Sequence, residues 1–351
     1  MGASLESLGG WSGVLSPLTA GTDLTAEQAA AAMAEILGGD ASSAQIAGFI
    51  VALRMKGETI EEMTGLLDAM DAAAEHVVLA SVDDVVDIVG TGGDRSHSIN
   101  VSTIAAFVVA GAGARVCKHG NRAASSLCGA ADVLEALGVV IDLGPDGVAR
   151  CIEQAGIGFC FAPRFHSAMR HAVSARRELG VPTVFNFLGP LANPARVHRH
   201  LVGVSDSRMA QKMAGVLRAR GSKRALIVYG HDGLDELTTT TTSSVVELGE
   251  DGEIRRYEVD PAAHGLAKSE PAQLRGGDPA HNSAAARRVL EGEPGPHRDV
   301  VVLNAAAALV AAGLASDLAE GLNVAAAAID DGRATAALEG LVKASNDAPL
   351  G

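Results

Sequence analysis

Residues 87–94 read Asp-Ile-Val-Gly-Thr-Gly-Gly-Asp, and residues 98–103 follow with Ser-Ile-Asn-Val-Ser-Thr. The β-branched run 85–89 has the length and composition of a buried strand, and the apolar stretch after Asn100 has the residues of a helix. A strand that ends in glycines and hands over to a helix is the opening unit of a parallel α/β sheet. Working outward, strand-like runs recur at 114–117, 139–143, 159–162, 201–204, 225–229 and 300–303, separated by alanine-rich helical stretches. The alternation predicts an α/β fold, with a large domain whose mainly parallel sheet is wrapped by helices.

Upstream, three segments each open with a capping box: Thr25 with Gln28, Ser42 with Gln45, and Thr59 with Glu62. Ile46, Phe49, Ile50 and Leu53 recur at helical spacing, and Gly38 and Gly57 stand where helices stop. A small all-helical domain is expected over residues 1–80, with the large α/β domain over 81–351. The basic, helical stretch around 165–190, interrupted by Pro182, breaks the strand–helix alternation and is expected to return to the helical domain. The polar segment 245–291, with its Gly249-Glu250-Asp251-Gly252 hairpin turn, reads as an excursion rather than a third domain.

The 351 residues carry 28 basic and 42 acidic side chains, a formal net charge of -14, with 48% hydrophobic residues. That composition is globular. An acidic chain has no general attraction for phosphate backbones, so no nucleic-acid partner is expected. Gly, Lys and Asp interrupt every apolar run and the start of the chain lacks a basic leader, so no membrane association and a cytoplasmic location are expected. Cys117, Cys128, Cys151 and Cys160 form no C-x-x-C pair, which argues against zinc and against a disulfide framework.

Three elements at strand ends carry chemistry. Gly90, Thr91, Gly92, Gly93 and Asp94, followed by Ser98, Asn100, Ser102 and Thr103, suit an anion: glycines let backbone N–H groups approach, a helix N-terminus adds partial positive charge, and hydroxyls complete the cradle. The same residues also suit a tight strand-to-helix turn capped by Asn100 or Ser102. A second run, Lys118-His119-Gly120-Asn121-Arg122-Ala123-Ala124-Ser125-Ser126, gathers two cations, an imidazole, an amide and hydroxyls, suited to a diphosphate and a second substrate. Third, Asp235 and Glu236 follow a strand; such a pair is either a solvated turn or, with substrate phosphates and Ser102, a magnesium site.

GTGGD (90–94), NVST (100–103), KHGNRA (118–123) with Ser125 and Ser126, and GLDEL (233–237) together resemble the signature of the anthranilate phosphoribosyltransferases. The similarity extends through RRELGVPTVFNFLGPLANP (176–194) to LNAAAALVAAG (303–313), and so covers nearly the whole chain. The resemblance implies a homodimer, a helical and an α/β domain enclosing the site, and the fold of the pyrimidine nucleoside phosphorylases. It implies that Gly90, Gly93, Asp94, Ser98, Asn100, Val101, Ser102, Thr103, the run from Lys118 to Ser126 and Ala130 hold 5-phosphoribosyl 1-diphosphate. Ser102, Asp235 and Glu236 would bind Mg2+, two ions per subunit, and Gly90, Asn121 and Arg176 would receive anthranilate. Read alone, Arg176 is a helix-surface charge. Ser98 stands where the family often has Thr, Leu127 where it often has Lys, Ala130 where it often has Ser, and Met169 where relatives carry an aromatic residue.

The implied reaction joins the amine of anthranilate to the ribose with loss of pyrophosphate, a step of tryptophan biosynthesis governed by positioning and electrostatics. No residue is compelling as a strong general base, with His119 the candidate. Two other readings are a pyrimidine nucleoside phosphorylase, against which the KHGNRA run argues, and a non-catalytic nucleic-acid-binding paralogue, against which the acidic balance and the intact Asp235-Glu236 pair argue.

Overall fold

The computed structural model describes residues 4–123 and 126–348. Four helices come first: α1 (Gly10–Thr19), α2 (Ala26–Gly38), α3 (Ser43–Lys56) and α4 (Ile60–Ala72). All three expected capping boxes form, with Thr25, Ser42 and Thr59 each accepting the N–H three residues on. Gly57 closes α3 as foreseen, whereas the left-handed cap of α2 is Gly39, one residue past Gly38.

The chain then alternates: β1 (Val85–Gly90), α5 (Val101–Gly111), β2 (Arg115–Gly120), α6 (Ala130–Leu137), α7 (Pro145–Ala155), β3 (Ile157–Phe161), α8 (Ala162–Phe165), α9 (Arg170–Leu179), α10 (Val184–Leu188), β4 (Arg199–Gly203), α11 (Ser207–Ala219) and β5 (Arg224–Gly230). The hairpin of β6 (Ser243–Leu248) and β7 (Ile254–Val259) follows, then α12 (Pro279–Leu290), α13 (Pro296–Ala312), α14 (Leu318–Asp330) and α15 (Arg333–Asn346). The strands form one sheet in the order β3-β2-β1-β4-β5-β6-β7, parallel from β3 to β5, with β6 and β7 antiparallel.

Two expected strands are helix or coil. Residues 139–143 connect α6 to α7; Val139, Ile141 and Leu143 are buried and the residues between them are not, which mimics a strand without a partner to pair with. Residues 300–303 belong to α13, which is buried on every side from Val300 to Ala311. A helix enclosed all round needs no polar face, so its β-branched run carries no helical period.

The two faces of the sheet feed two cores. Ile88, Val116, Leu201 and Val228 pack with α5 and α13 on one side. Val89, Val202, Ile227 and Val246 point to the other, where α11 joins them to Phe49, Ile50 and Leu66 of the helical unit. Each fully buried side chain of this size contributes roughly 1.5–3 kcal/mol. On either side of Pro182 the chain packs against the first helices: α9, before it, on α2 and α3, and α10, after it, on α3 and α4. Among the described residues no helix is long and apolar enough to cross a membrane.

Candidate active site

β1 and β4 are neighbours in the sheet, but the chain leaves them toward opposite edges, so a crevice opens at their C-terminal ends. The loop after β1 crosses this crevice. Thr91 donates its N–H to Gly203 O (2.9 Å), and its hydroxyl lies 3.2 Å from that of Ser205. Gly92 and Gly93 both have positive φ, 65° and 78°, and a Cβ on either would meet no atom within 4 Å. The glycines thus supply a turn that L-residues resist, and they face open space.

The loop after β5 closes on the same crevice from below. A Cβ on Gly203 would lie 1.5 Å from Asp235 O, and one on Gly90 would lie 2.5 Å from Asp235 Oδ2. Only glycines let this loop settle against the ends of β1 and β4. Gly92 N–H donates to Asp235 Oδ2 (2.7 Å), and Ser102 N–H to Glu236 Oε1 (3.1 Å). Asn304 braces the loop from α13, donating to Leu237 O (2.8 Å) and accepting Leu237 N–H (2.9 Å).

Burial, with Asp94 adding repulsion, pushes the Asp235 carboxyl up to about 7; burial, then Asp235, pushes Glu236 up to about 8. A cation is buried beside the pair: Lys118, 3% exposed, whose Nζ donates to Ile88 O and approaches Ser102 Oγ at 3.4 Å. Burial lowers its pKa against the pull of Asp87, Glu236 and Asp235. Asp235 and Glu236 therefore form a desolvated acidic pair short of positive charge, which suits a hard divalent cation completed by phosphate oxygens. Among the described residues no three His, Cys, Asp or Glu side chains come together as a metal cage.

The expected site residues divide accordingly. Gly90, Asp94, Ser102, Lys118, Asp235 and Glu236 are brought together at the crevice, with Gly93 on the loop that crosses it. Ser98 sits opposite Arg275 in an isolated antiparallel bridge. Val101 and Thr103 are buried in the first turn of α5 and face the core. Asn100 does not cap α5, as the turn reading had it; its side chain donates to Cys128 O (3.1 Å) and accepts from Asn282 (2.8 Å). Ser102 is no cap either, because it is already the second residue of α5. Asn121 and Ser126 are exposed on the loop after β2, Gly120 and Ala130 flank it, and Ala124 and Ser125 lie outside the described residues.

Arg122 does not converge with Lys118. Its guanidinium pairs with Glu135 (2.5 and 2.9 Å) and Asp132 (2.9 Å), and stands over the Phe161 ring. Nothing in the motif announces partners 10 and 13 residues on. His119 is 4% exposed with its ring 5.1 Å from that of His166; burial, then His166, hold its pKa down to about 3. An imidazole held neutral this firmly is a poor proton acceptor, and its Nε2 is buried without a partner among the described residues. Arg176, on α9, lies 5.1 Å from the Phe185 ring centroid and makes no ion pair among the described residues.

Sequence reasoning passed over Asp87 and Asn193. Asp87, fully buried, accepts His119 N–H (3.0 Å) and Asn193 Nδ2 (2.8 Å), and Asn193 also reaches Cys117 O (2.8 Å). Burial lifts the Asp87 carboxyl to about 6. A carboxylate in the middle of an apolar strand was the available signal.

The chain matches two family models that divide it as the fold does: the glycosyl transferase family helical bundle domain over residues 13–74 and the glycosyl transferase family a/b domain over residues 82–335. The anthranilate phosphoribosyltransferase of Rhodococcus jostii is 54% identical, with 93% of this chain and 91% of the relative covered; that of Thermobifida fusca is 53% identical, covering 95% and 97%. Among solved structures, anthranilate phosphoribosyltransferase from Thermus thermophilus superposes with a TM-score of 0.90 at 41% identity, covering 95% of this chain and 99% of that one. The Saccharomyces cerevisiae enzyme in complex with PRPP and Mg gives 0.87 at 27%, covering 96% and 98%. On identity sustained over nearly the full length of both chains, in a protein whose glycine loop, buried lysine and paired carboxylates meet in one crevice, this chain belongs to the anthranilate phosphoribosyltransferase family.

Proposed function

We propose that the crevice transfers the phosphoribosyl group of 5-phosphoribosyl 1-diphosphate to the amine of anthranilate, releasing pyrophosphate. Family membership makes the chain a pentosyl-transferring enzyme of tryptophan biosynthesis. The observation that carries it is the meeting of an open, positive-φ glycine loop with Lys118 and the desolvated Asp235-Glu236 pair. Transfer at an anomeric carbon builds positive charge on the ribose and negative charge on the leaving diphosphate, so preorganised charge and alignment dominate.

In this reading Gly90, Gly93, Asp94, Ser98, the start of α5, Lys118 and the loop to Ser126 hold the diphosphate and ribose. Ser102, Asp235 and Glu236 are the residues that would hold magnesium, two ions per subunit; the yeast relative's complex contains Mg. When bound, the metal supplies positive charge to the diphosphate oxygens. Anthranilate is received by Gly90, Asn121 and Arg176. The half-buried Arg176 has no carboxylate of its own, and the yeast relative has been solved with 4-fluoroanthranilate. His119 orients rather than abstracts a proton, since an arylamine is already nucleophilic.

We further infer a homodimer working in the cytoplasm, where the buried thiols of Cys117, Cys128, Cys151 and Cys160 stay reduced. Residues 1–80 with 165–190 would move as one unit against the rest of 81–351 to exclude water. The decisive assay follows the fluorescence of anthranilate with 5-phosphoribosyl 1-diphosphate and magnesium. Consumption dependent on all three supports the reading; none, or cleavage of pyrimidine nucleosides by phosphate, rejects it.

A further inference from the structure

The loop that follows β2 leaves Lys118 and returns to α6 within about ten residues, and its two ends touch. A Cβ on Gly129 would lie 2.3 Å from Ala123 N and 2.5 Å from Arg122 C, so the backbones approach as closely as only glycine permits. Ala131 N–H donates to Asn121 O (3.1 Å). One side chain closes this junction. Asp132 Oδ2 accepts both Ala123 N–H (3.0 Å) and Gly129 N–H (2.8 Å), one from each end of the loop. Its other oxygen, Oδ1, accepts from Arg122 (2.9 Å), which Glu135 grips as a fork.

We propose that Asp132 is the positioning residue of this loop: Oδ2 clips its two ends together so that Asn121 and Ser126 face the substrate, while Oδ1, with Glu135, keeps the Arg122 guanidinium out of the crevice. The inference rests on reading 118–126 as the phosphoribosyl diphosphate loop. Asp132 touches no substrate group in that reading; it acts through the backbone of Ala123 and Gly129. A charged acceptor shared by two part-buried N–H groups is a strong constraint on a short loop, because losing it leaves both donors without a partner. The carboxyl is held below the usual range, desolvation being outweighed by those two N–H groups and by Arg122.

The two oxygens are separable by substitution. Asp132→Asn keeps one carbonyl oxygen for both N–H groups and turns its amide toward Arg122, which Glu135 still holds. Asp132→Ala removes the clip. Asp132→Ala is expected to raise both the calorimetric Kd and the KM for magnesium 5-phosphoribosyl 1-diphosphate about 10-fold or more, with kcat at saturation within about 3-fold. Asp132→Asn should stay within about 3-fold of wild type in both. If Asp132→Ala loses its cooperative melt, Asp132→Ser, too short to reach Ala123, takes its place with the same expected rise. Equal impairment of the Asn and Ala variants would show that the ion pair matters and the clip does not, and unimpaired Ala would show no positioning at all; either overturns the inference. Wild type that binds no phosphoribosyl diphosphate would overturn the function reading and this inference together, whereas normal wild-type binding with an unchanged Ala variant overturns this inference alone.

Discussion

Glu236 Oε1 accepts the backbone N–H of Ser102 at 3.1 Å, fastening the loop after β5 to the first turn of α5. The contact joins two segments 134 residues apart, and it places a desolvated carboxylate beside the helix start that resembles a phosphate cradle. Four expectations follow from this arrangement and from the buried groups around it.

Asp235→Asn and Glu236→Gln should lower turnover roughly 100-fold or more while leaving the melting temperature without metal at or above wild type, because each removes a buried like charge. Magnesium at 100 times its Kd should stabilise wild type by about 2.7 kcal/mol and the variants by much less. Thermal melts with and without magnesium check this. Turnover equal to wild type across a magnesium titration would reject the assignment.

Lys118→Met should raise the KM for 5-phosphoribosyl 1-diphosphate about 10-fold to 150-fold, the effect of losing a charge-assisted hydrogen bond of roughly 1.5–3 kcal/mol. With Leu127 exposed and apolar and Arg122 paired with Glu135, Lys118 is the cation of the loop after β2 left to meet the diphosphate. Calorimetry with magnesium present would show the loss directly; an unchanged constant counts against it.

Arg176→Ala should weaken the use of anthranilate by about 10-fold to 150-fold and spare phosphoribosyl diphosphate. Lysine should rescue only in part, since it lacks the planar fork and the stacking on Phe185. Steady-state kinetics with each substrate varied in turn separates the cases. Equal losses for both substrates would assign Arg176 to the fold instead.

His200 lies beside Asp87 in the sheet, 2% exposed, and burial holds its pKa down to about 4 against an ordinary 6.5. The unfolded chain therefore binds its proton first on acidification. The neutral histidine costs nothing above pH 6.5; stability is lost as pH falls from 6.5 toward 4 and levels below. The loss is about 2 kcal/mol at pH 5. His200→Asn should lose correspondingly less between pH 7 and pH 5 in urea melts; parallel losses in both proteins would contradict the assignment.

Local signals carried much of the architecture. Thr25, Ser42 and Thr59 announced three helices because a capping box is satisfied within four residues, and β1, β3, β4 and β5 were legible because a buried parallel strand is a short β-branched run bounded by turns. The same signal misled at 139–143, where alternate burial in a connection imitates a strand with no partner, and at 300–303, where burial on all sides erases the difference between strand and helix. The motifs likewise named Gly90, Lys118, Asp235 and Glu236, which the fold brings together and whose residue types suit phosphate and a divalent cation.

What the chain alone decided, then, is which groups are available and where the backbone turns. Tertiary structure decided which groups meet and in what state. Arg122 and Lys118 stand four residues apart in one basic run, yet packing turns one to Asp132 and Glu135 and buries the other among Asp87, Asp235 and Glu236. Asp87 and Asn193, 106 residues apart, meet because the segment before β4 runs across β1 and β2, where Asn193 also reaches Cys117 O. Hydrogen-bond partners and desolvation are properties of three-dimensional neighbours, so no local pattern encodes them.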